Sequence, residues 1–409
     1  MNLKLKQSDI KQQSSIQITG SKSESNRLLL LQALYPEIKI ENVSNSDDSQ
    51  LMTKALASTE EEIDIHHAGT AMRFLTAYFA TQKDRETILT GSKRMKERPI
   101  KILVDALNQL GANISYQEKE GYPPLLIHGK VLNKNKVTLK ANVSSQYISA
   151  ILLIASKLEN GIVLTLNGKI TSVPYINMTL DLLKRIGVAS TFIDNTITVS
   201  PKREAIKNTL LTVESDWSSA SYYYSIVALS KIGTTIELSS YTKNSLQGDS
   251  ALTELYKSFG VKTTYKEQSI VIEKIKTISQ ETSIDFDLAN EPDIAQTIAV
   301  TAFALGLKSN LTGLHTLKIK ETDRLEVLKT EIEKLGGQIK ITNESLHLSA
   351  SKKIKKHMVI ATYNDHRMAM AFTPLALKVP VEIEDYTVVS KSYPTFWKDI
   401  NSLGIEINK

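Results

Sequence analysis

One pattern recurs five times along the chain: an amphipathic helix ending on an apolar residue, then a glycine, then an alternating strand. The copies read VDALNQLGANISY, LDLLKRIGVASTF, LTELYKSFGVKTTY, LKTEIEKLGGQIKI and FWKDINSLGIEIN. Their glycines fall at Gly111, Gly187, Gly260, Gly336 and Gly404, at intervals of 76, 73, 76 and 68 residues. Glycine just past the last helical turn adopts a left-handed backbone at little cost, so each one marks a helix end turning into a strand. A sixth, degenerate copy is SQLMTKALASTEEEIDIH, where glutamates replace the glycine turn.

Units of this size are too large for a solenoid of single helix pairs. Each has room for two helices and several strands. The alternating, β-branched runs at Ile162–Leu166, Thr196–Val199, Thr234–Leu238, Ser269–Ile272, Ser345–Leu348 and Val381–Ile383 predict strands between the helices. The 409 residues exceed one core of usual size, which with the repeats predicts an α/β chain of two domains, three units each. No Pro/Gly/Ser-rich linker divides them, so any hinge is short.

Composition narrows the function. The 50 Lys+Arg against 44 Asp+Glu give a net charge of +6, which suits small acidic substrates or a local basic site. Aromatic residues at 6% are sparse for a nucleic-acid surface, which needs stacking partners beside its basic face. With no cysteine there are no disulfides, thiolate nucleophiles or cysteine-ligated metals. The N-terminal MNLKLKQSDIKQQSS has no apolar secretory core, and runs such as 148–155 and 298–307 are too short to span a bilayer. A cytoplasmic protein with no membrane partner is expected.

Basic residues cluster where turns lead into apolar helices. The segment GSKSESNR (20–27) opens a helix with Ser21 and Glu24 spaced as a capping box. Lys22 and Arg27 oppose the helix dipole there, unless an anion sits at the helix start. Similar clusters are HHAGTAMR (66–73), GSKRMKERP (91–99), KETDR (320–324), YNDHRMAM (363–370) and SKSYP (390–394). Each alone reads as a solvated charged turn. Together they suggest a site lined by Lys22, Arg27, Arg94, Arg324, Arg367 and Lys391, since the arginine fork matches carboxylate and phosphate oxygens.

Asp293, in ANEPD before an apolar helix, is either a first-turn carboxylate or a group that moves a proton between anionic reactants; Glu321 has the same two readings. The serine-rich turns VSSQY (143–147) and SDWSSASY (215–222) are either capping motifs or hydroxyl sets for a phosphate or sugar-like ring. A P-loop, G-x-G-x-x-G, H-E-x-x-H and G-x-S-x-G are all absent.

The motifs GSKSESNR, AGTAMR, RMKERP, SSQY, SxPY, SSAS, PD before a helix, KETDR and NDHRMAM, in this order along nearly the whole chain, resemble those of the EPSP synthases, a family of enolpyruvyl transferases. The resemblance implies two similar domains of three βαβαββ units each, an inside-out α/β barrel, with one domain discontinuous. The boundaries would be 1–19 with 214–409, and 20–213, with the active site in the cleft between them. It implies transfer of the enolpyruvyl group of phosphoenolpyruvate to the 5-hydroxyl of shikimate 3-phosphate, by a monomer without metal, cofactor or nucleic-acid partner.

By the family's motifs, Lys22, Gly69, Arg94, Gln146, Arg324, Arg367 and Lys391 would hold phosphoenolpyruvate. Lys22, Ser23, Arg27, Ser144, Ser145, Gln146, Ser172, Tyr175, Asp293 and Lys320 would hold shikimate 3-phosphate. Asp293 would take the hydroxyl proton, and Glu321 with Lys22 would serve C3 of the enol. Departures from the family pattern are Val173, where many relatives have lysine, and Thr316, where many have asparagine. His67 and Phe74 depart beside the AGT turn, where the family's inhibitor glyphosate competes with phosphoenolpyruvate. The related transferase of UDP-N-acetylglucosamine is disfavoured, because its members protonate the enol carbon with a cysteine.

Overall fold

Helices buried on every side have to be wrapped by other elements, and six among the described residues come close to that. The structure, a computed structural model, describes residues 1–141, 144–168, 170, 172–351 and 353–408. The chain divides into two compact units, Gly20–Val213 and Met1–Thr19 with Glu214–Lys409. In the first unit, the helices Lys22–Leu34, Gly69–Ala80 and Ser145–Ala155 pack against one another. All of Gly69–Ala80 is buried, and all of Ser145–Ala155 except Gln146. In the second unit, Trp217–Leu229, Ala295–Ala304 and His366–Phe372 form the equivalent trio, buried throughout except for Ser218.

Among the described residues, each unit holds three sheets beside its trio. Five of the six sheets have four strands and share one plan. In the sheet of Glu62–Asp64, Glu86–Thr90, Asn113–Tyr116 and Leu125–His128, the first two strands are parallel, linked by a buried helix. The fourth strand returns antiparallel to the second, and the third pairs with the fourth as an edge. A crossover helix is what a parallel pair requires. The amphipathic helix linking second and third strands packs its apolar face inward, as Leu103, Val104 and Leu107 of Lys101–Gln109 illustrate.

The order of the elements is permuted at two places. The N-terminal strand Asn2–Leu5 pairs antiparallel with both Val381–Glu384 and Ile407–Asn408, serving as fourth strand of the last repeat. Gln13–Ile16 pairs parallel with Thr235–Ser239, so the chain leaves the unit and returns before that repeat continues. Likewise Thr209–Thr212 pairs parallel with Ile38–Glu41, closing the first unit with a strand from its far end.

All six predicted strands form, to within a residue or two at their ends. The five repeat glycines have φ of +100°, +78°, +74°, +97° and +115° in chain order, the left-handed helix stop that their spacing predicts. The degenerate sixth copy is different. Its helix, Asp47–Ala57, stops at an extended Ser58, and the following Glu62–Asp64 is the first strand of the next sheet. That repeat lacks its closing hairpin, and its sheet is the one with two strands. Without a glycine there is no left-handed turn, so the chain runs straight on.

Two of the glycines separate backbone strain from crowding. A Cβ at Gly336 would meet nothing nearer than 3.6 Å, whereas at Gly260 it would lie 2.2 Å from the Lys276 carbonyl oxygen. Gly336→Ala is expected to cost about 1–2 kcal/mol from its left-handed backbone alone. Gly260→Ala should cost clearly more, because a backbone atom must move. Urea unfolding of the two variants checks this; equal losses would count against it.

Candidate active site

Three of the charged turns noted in the sequence open buried helices (Lys22–Leu34, Gly69–Ala80 and His366–Phe372). The other three precede the half-exposed helices Lys101–Gln109, Arg324–Lys334 and Phe396–Leu403, and each unit gathers its own set. In the Gly20–Val213 unit, Ser21 caps the Lys22–Leu34 helix, accepting from the Glu24 backbone N–H. Lys22 is half-buried, with Nζ 3.5 Å from Asp48 Oδ2. Gln146 Nε2 donates to Thr70 Oγ1 at 3.3 Å, joining the second residues of two helices, and Gly69 opens the helix that carries Thr70. Ser144 caps the Ser145–Ala155 helix by accepting from Gln146 N. Ser172 precedes the Val173–Arg185 helix with a left-handed backbone (φ 54°) and makes no cap bond with its side chain. A left-handed serine is costly unless its surroundings impose it, and such outliers concentrate at binding sites.

Arg27 differs from the expected first-turn cation. It lies in the second turn, buried, with Nε donating to Thr179 Oγ1 (2.8 Å), Nη1 to the Ser23 carbonyl (2.7 Å) and Nη2 to Ser149 Oγ (2.9 Å) and the Tyr175 carbonyl (3.3 Å). Its guanidinium also lies 5.4 Å from the Phe74 ring centre and 5.9 Å from that of Tyr175. Burial lowers its pKa to about 10, against the charges of Tyr175 and Glu24. Arg27 thus fixes the positions of Ser23 and Tyr175. Arg73 is turned inward as well, donating to the Gly69 and Pro99 carbonyls, while Arg94 is exposed and paired with Glu97 at 3.0 Å.

In the other unit the basic residues arrive with their counter-ions. Arg324, the first residue of the Arg324–Lys334 helix, is 2% exposed and touches three carboxylates. Its Nε donates to Asp365 Oδ2 (2.7 Å), Nη1 to Asp293 Oδ1 (3.1 Å) and Nη2 to Glu321 Oε2 (2.8 Å). Arg367 donates through Nη1 to the Asp293 carbonyl (3.0 Å) and through Nη2 to Asp293 Oδ2 (3.1 Å) and Ser218 Oγ (3.3 Å). Lys320 lies 3.2 Å from Asp293, and Lys391 lies 3.0 Å from Glu321. The result is a nearly balanced network, since a buried guanidinium without partners is prohibitively costly.

Asp293 is the hub of this network. Burial alone would push its carboxyl up, but Arg367, Lys320 and Arg324 together hold it far below the usual carboxylate range. Arg324 is held charged in spite of its burial, by Asp365, Glu321 and Asp293. Asp365 was not among the expected site residues although it stands inside NDHRMAM; the need of a buried arginine for a counter-ion is the signal that finds it. It also accepts from the Arg367 backbone N–H at 2.9 Å, capping the His366–Phe372 helix. Asp48, which balances Lys22, and Asp249, which accepts from Ser218, were likewise not singled out, whereas Ser218, which accepts from Arg367, lies in the serine-rich turn SDWSSASY.

Removing the fully buried partner exposes this dependence. Asp365→Ala is expected to destabilise the fold by about 3 kcal/mol, the usual loss when one member of a buried pair leaves the other uncompensated. Thermal unfolding of the variant measures it, and a loss under about 1 kcal/mol, the range of a surface pair, would contradict the assignment.

Comparison with known proteins bears on this arrangement. The family model for EPSP synthase (3-phosphoshikimate 1-carboxyvinyltransferase) matches residues 55–400. A 3-phosphoshikimate 1-carboxyvinyltransferase of Bacteroides fragilis (strain YCH46) is 47% identical over 398 residues, covering 96% of this chain and 96% of that protein. An EPSP synthase structure from Acinetobacter baumannii superposes with a TM-score of 0.80 at 20% identity, over 100% of this chain and 99% of that one. The enolpyruvyl transferase NikO from Streptomyces tendae gives 0.74 at 13% identity, over 100% and 98%. The two structures establish a shared fold of repeated βαβαββ units. With the family's model matched from residue 55 to 400 and a relative nearly half identical end to end, the chain belongs to the EPSP synthase family.

Proposed function

We infer that this chain transfers the enolpyruvyl group of phosphoenolpyruvate to the 5-hydroxyl of shikimate 3-phosphate, releasing phosphate. The observation that carries this reading is the 47% identity to the Bacteroides fragilis enzyme over 96% of both chains. The cation-rich helix starts support it. The shikimate oxygen attacks C2 of the enol while C3 gains a proton, giving a tetrahedral intermediate. Loss of a methyl proton and of phosphate then restores the enol. Both reactants are anions, so the protein's task is to hold two like-charged molecules together and to supply acid–base groups.

In this reading Lys22, Gly69, Arg94, Gln146, Arg324, Arg367 and Lys391 hold phosphoenolpyruvate. Ser23, Ser144, Ser145, Gln146, Ser172, Tyr175 and Lys320 receive shikimate 3-phosphate, with Arg27 acting through the Ser23 carbonyl and Tyr175 that it fixes. Glu321, already between Arg324 and Lys391, exchanges the C3 proton, and Lys22 supports it. Asp293 takes the proton of the attacking hydroxyl. A carboxylate held by three cations is a poor base, and the substrates change that. Once Arg324, Arg367 and Lys320 turn their donors to substrate oxygens, and two more anions arrive, the proton affinity of Asp293 rises.

The pH dependence follows with a definite sign. In the free protein Asp293 stays ionised far into acid, so it contributes no acid limb to kcat/KM above about pH 4, the ordinary carboxylate range. In the substrate complex its proton affinity is raised, so the acid limb of kcat lies at higher pH. Steady-state phosphate release across pH, with the substrates' own ionisation subtracted, measures both; coincident limbs would contradict substrate-driven activation.

Substitutions separate the roles. Asp293→Asn should lower kcat by roughly 100-fold. KM for phosphoenolpyruvate should hold or fall, because the cations lose an internal competitor. Arg367→Ala should instead raise that KM. If Asp293→Asn mainly raised KM, its role as base would be wrong; no turnover of the two substrates by the intact protein would remove the reading altogether.

A further inference from the structure

Behind Arg367 lies a group that the proposed reaction does not use. Every residue of the Trp217–Leu229 helix is buried except Ser218, its second residue. The Ser218 hydroxyl donates to Asp249 Oδ2 and accepts from Arg367 Nη2 at 3.3 Å. Because its proton is committed to Asp249, only lone pairs face the guanidinium. The same guanidinium is held on its other side by the Asp293 carbonyl (3.0 Å) and Asp293 Oδ2 (3.1 Å). Three acceptors from two segments therefore fix one arginine in one orientation.

Asp249 stands on the 3₁₀ turn Gly248–Ala251, 2% exposed. Its Oδ1 has no hydrogen-bond partner among the described residues. A buried oxygen left unmatched is costly, so structural packing alone does not account for a carboxyl here. The charged and titratable groups facing it are Asp216 beside Ser218, Asp293 and Glu291 in the turn before Ala295–Ala304, and Arg367 on His366–Phe372. Burial first, and then the charge of Asp293, raise its pKa to about 7, against Arg367 and the Ser218 bond. Oδ1 accepts that proton without disturbing the Oδ2 bond to Ser218.

We propose that Ser218 and Asp249 are a positioning pair for Arg367: Ser218 orients the guanidinium toward the anion site, and Asp249 orients Ser218 and adjusts the charge behind the arginine. The proposal rests on Arg367 binding phosphoenolpyruvate. Neutral Asp249 leaves Arg367 fully available to an anion, and ionised Asp249 competes for it. Affinity for phosphoenolpyruvate therefore falls as pH rises through neutrality.

Four proteins test this: wild type, Ser218→Ala, Ser218→Thr and Asp249→Asn. Ser218→Ala should raise KM for phosphoenolpyruvate about 10-fold with a smaller change in kcat, as expected for a lost hydrogen bond to a charged group. Ser218→Thr, which keeps the hydroxyl, should restore KM. Asp249→Asn keeps an acceptor oxygen but cannot ionise, so it should bind like wild type near pH 6 and lose the weakening toward pH 8. An unchanged KM in Ser218→Ala, or a wild-type pH profile in Asp249→Asn, overturns the proposal. Crystal structures of wild type and Ser218→Ala give a readout independent of turnover. Arg367 keeping both Asp293 bonds unchanged in Ser218→Ala would overturn the positioning role even if the functional reading failed.

Discussion

Burial of six helices on nearly every side is the constraint from which the rest follows. A helix such as Ala295–Ala304, with all ten residues buried, satisfies its own backbone, and its hydroxyls at Thr297 and Thr301 find partners in Ser221 and Ser225. Its surroundings must be sheet faces and apolar stripes of outer helices, which is what each repeat supplies. Its ends are another matter. The first N–H groups of a helix have no partner within it and carry a partial positive charge. Charged and polar residues therefore collect at the N-terminal turns, where Lys22, Ser23, Gln146 and Ser218 stay unburied, while Gln32 and Ala33 do so in the last turn of Lys22–Leu34.

Charge balance then decides what those ends look like. A cluster of basic residues reads as a bare cationic site, yet Arg324 meets Asp365, Asp293 and Glu321, and Lys22 meets Asp48. The carboxylates keep the arginines in place before any ligand arrives. Anion binding at such a site is an exchange of partners and not a capture by free charge. In the proposed reaction this exchange would couple occupancy of the site to the basicity of Asp293, linking binding to proton transfer.

Much of the fold was legible in the residues because its signals are local. A glycine after an apolar helix end is enforced by the left-handed turn alone, and all five such turns occur. Alternation marks strands such as Thr196–Val199 for the same reason. The motifs around Arg324 and Arg367 were legible as motifs, since residue type and order survive in the chain itself. The sixth repeat misled because a helix followed by an alternating EIDI resembles the others, while strand membership depends on a partner at Glu86–Thr90.

By itself the sequence determined the repeat, the helix stops, the α/β class and the family. Only the tertiary structure decided partners. It turned Arg27 inward to Thr179 and Ser149, joined Thr70 to Gln146, and set Asp365 and Asp249 behind the two arginines. It also made the N-terminal strand the last member of a sheet with Val381–Glu384. The physical reason is common to all of these. Helix stops and alternation act between residues close in the chain, whereas ion pairs, buried hydrogen bonds and strand pairing act between residues brought together by packing, at separations that no local pattern encodes.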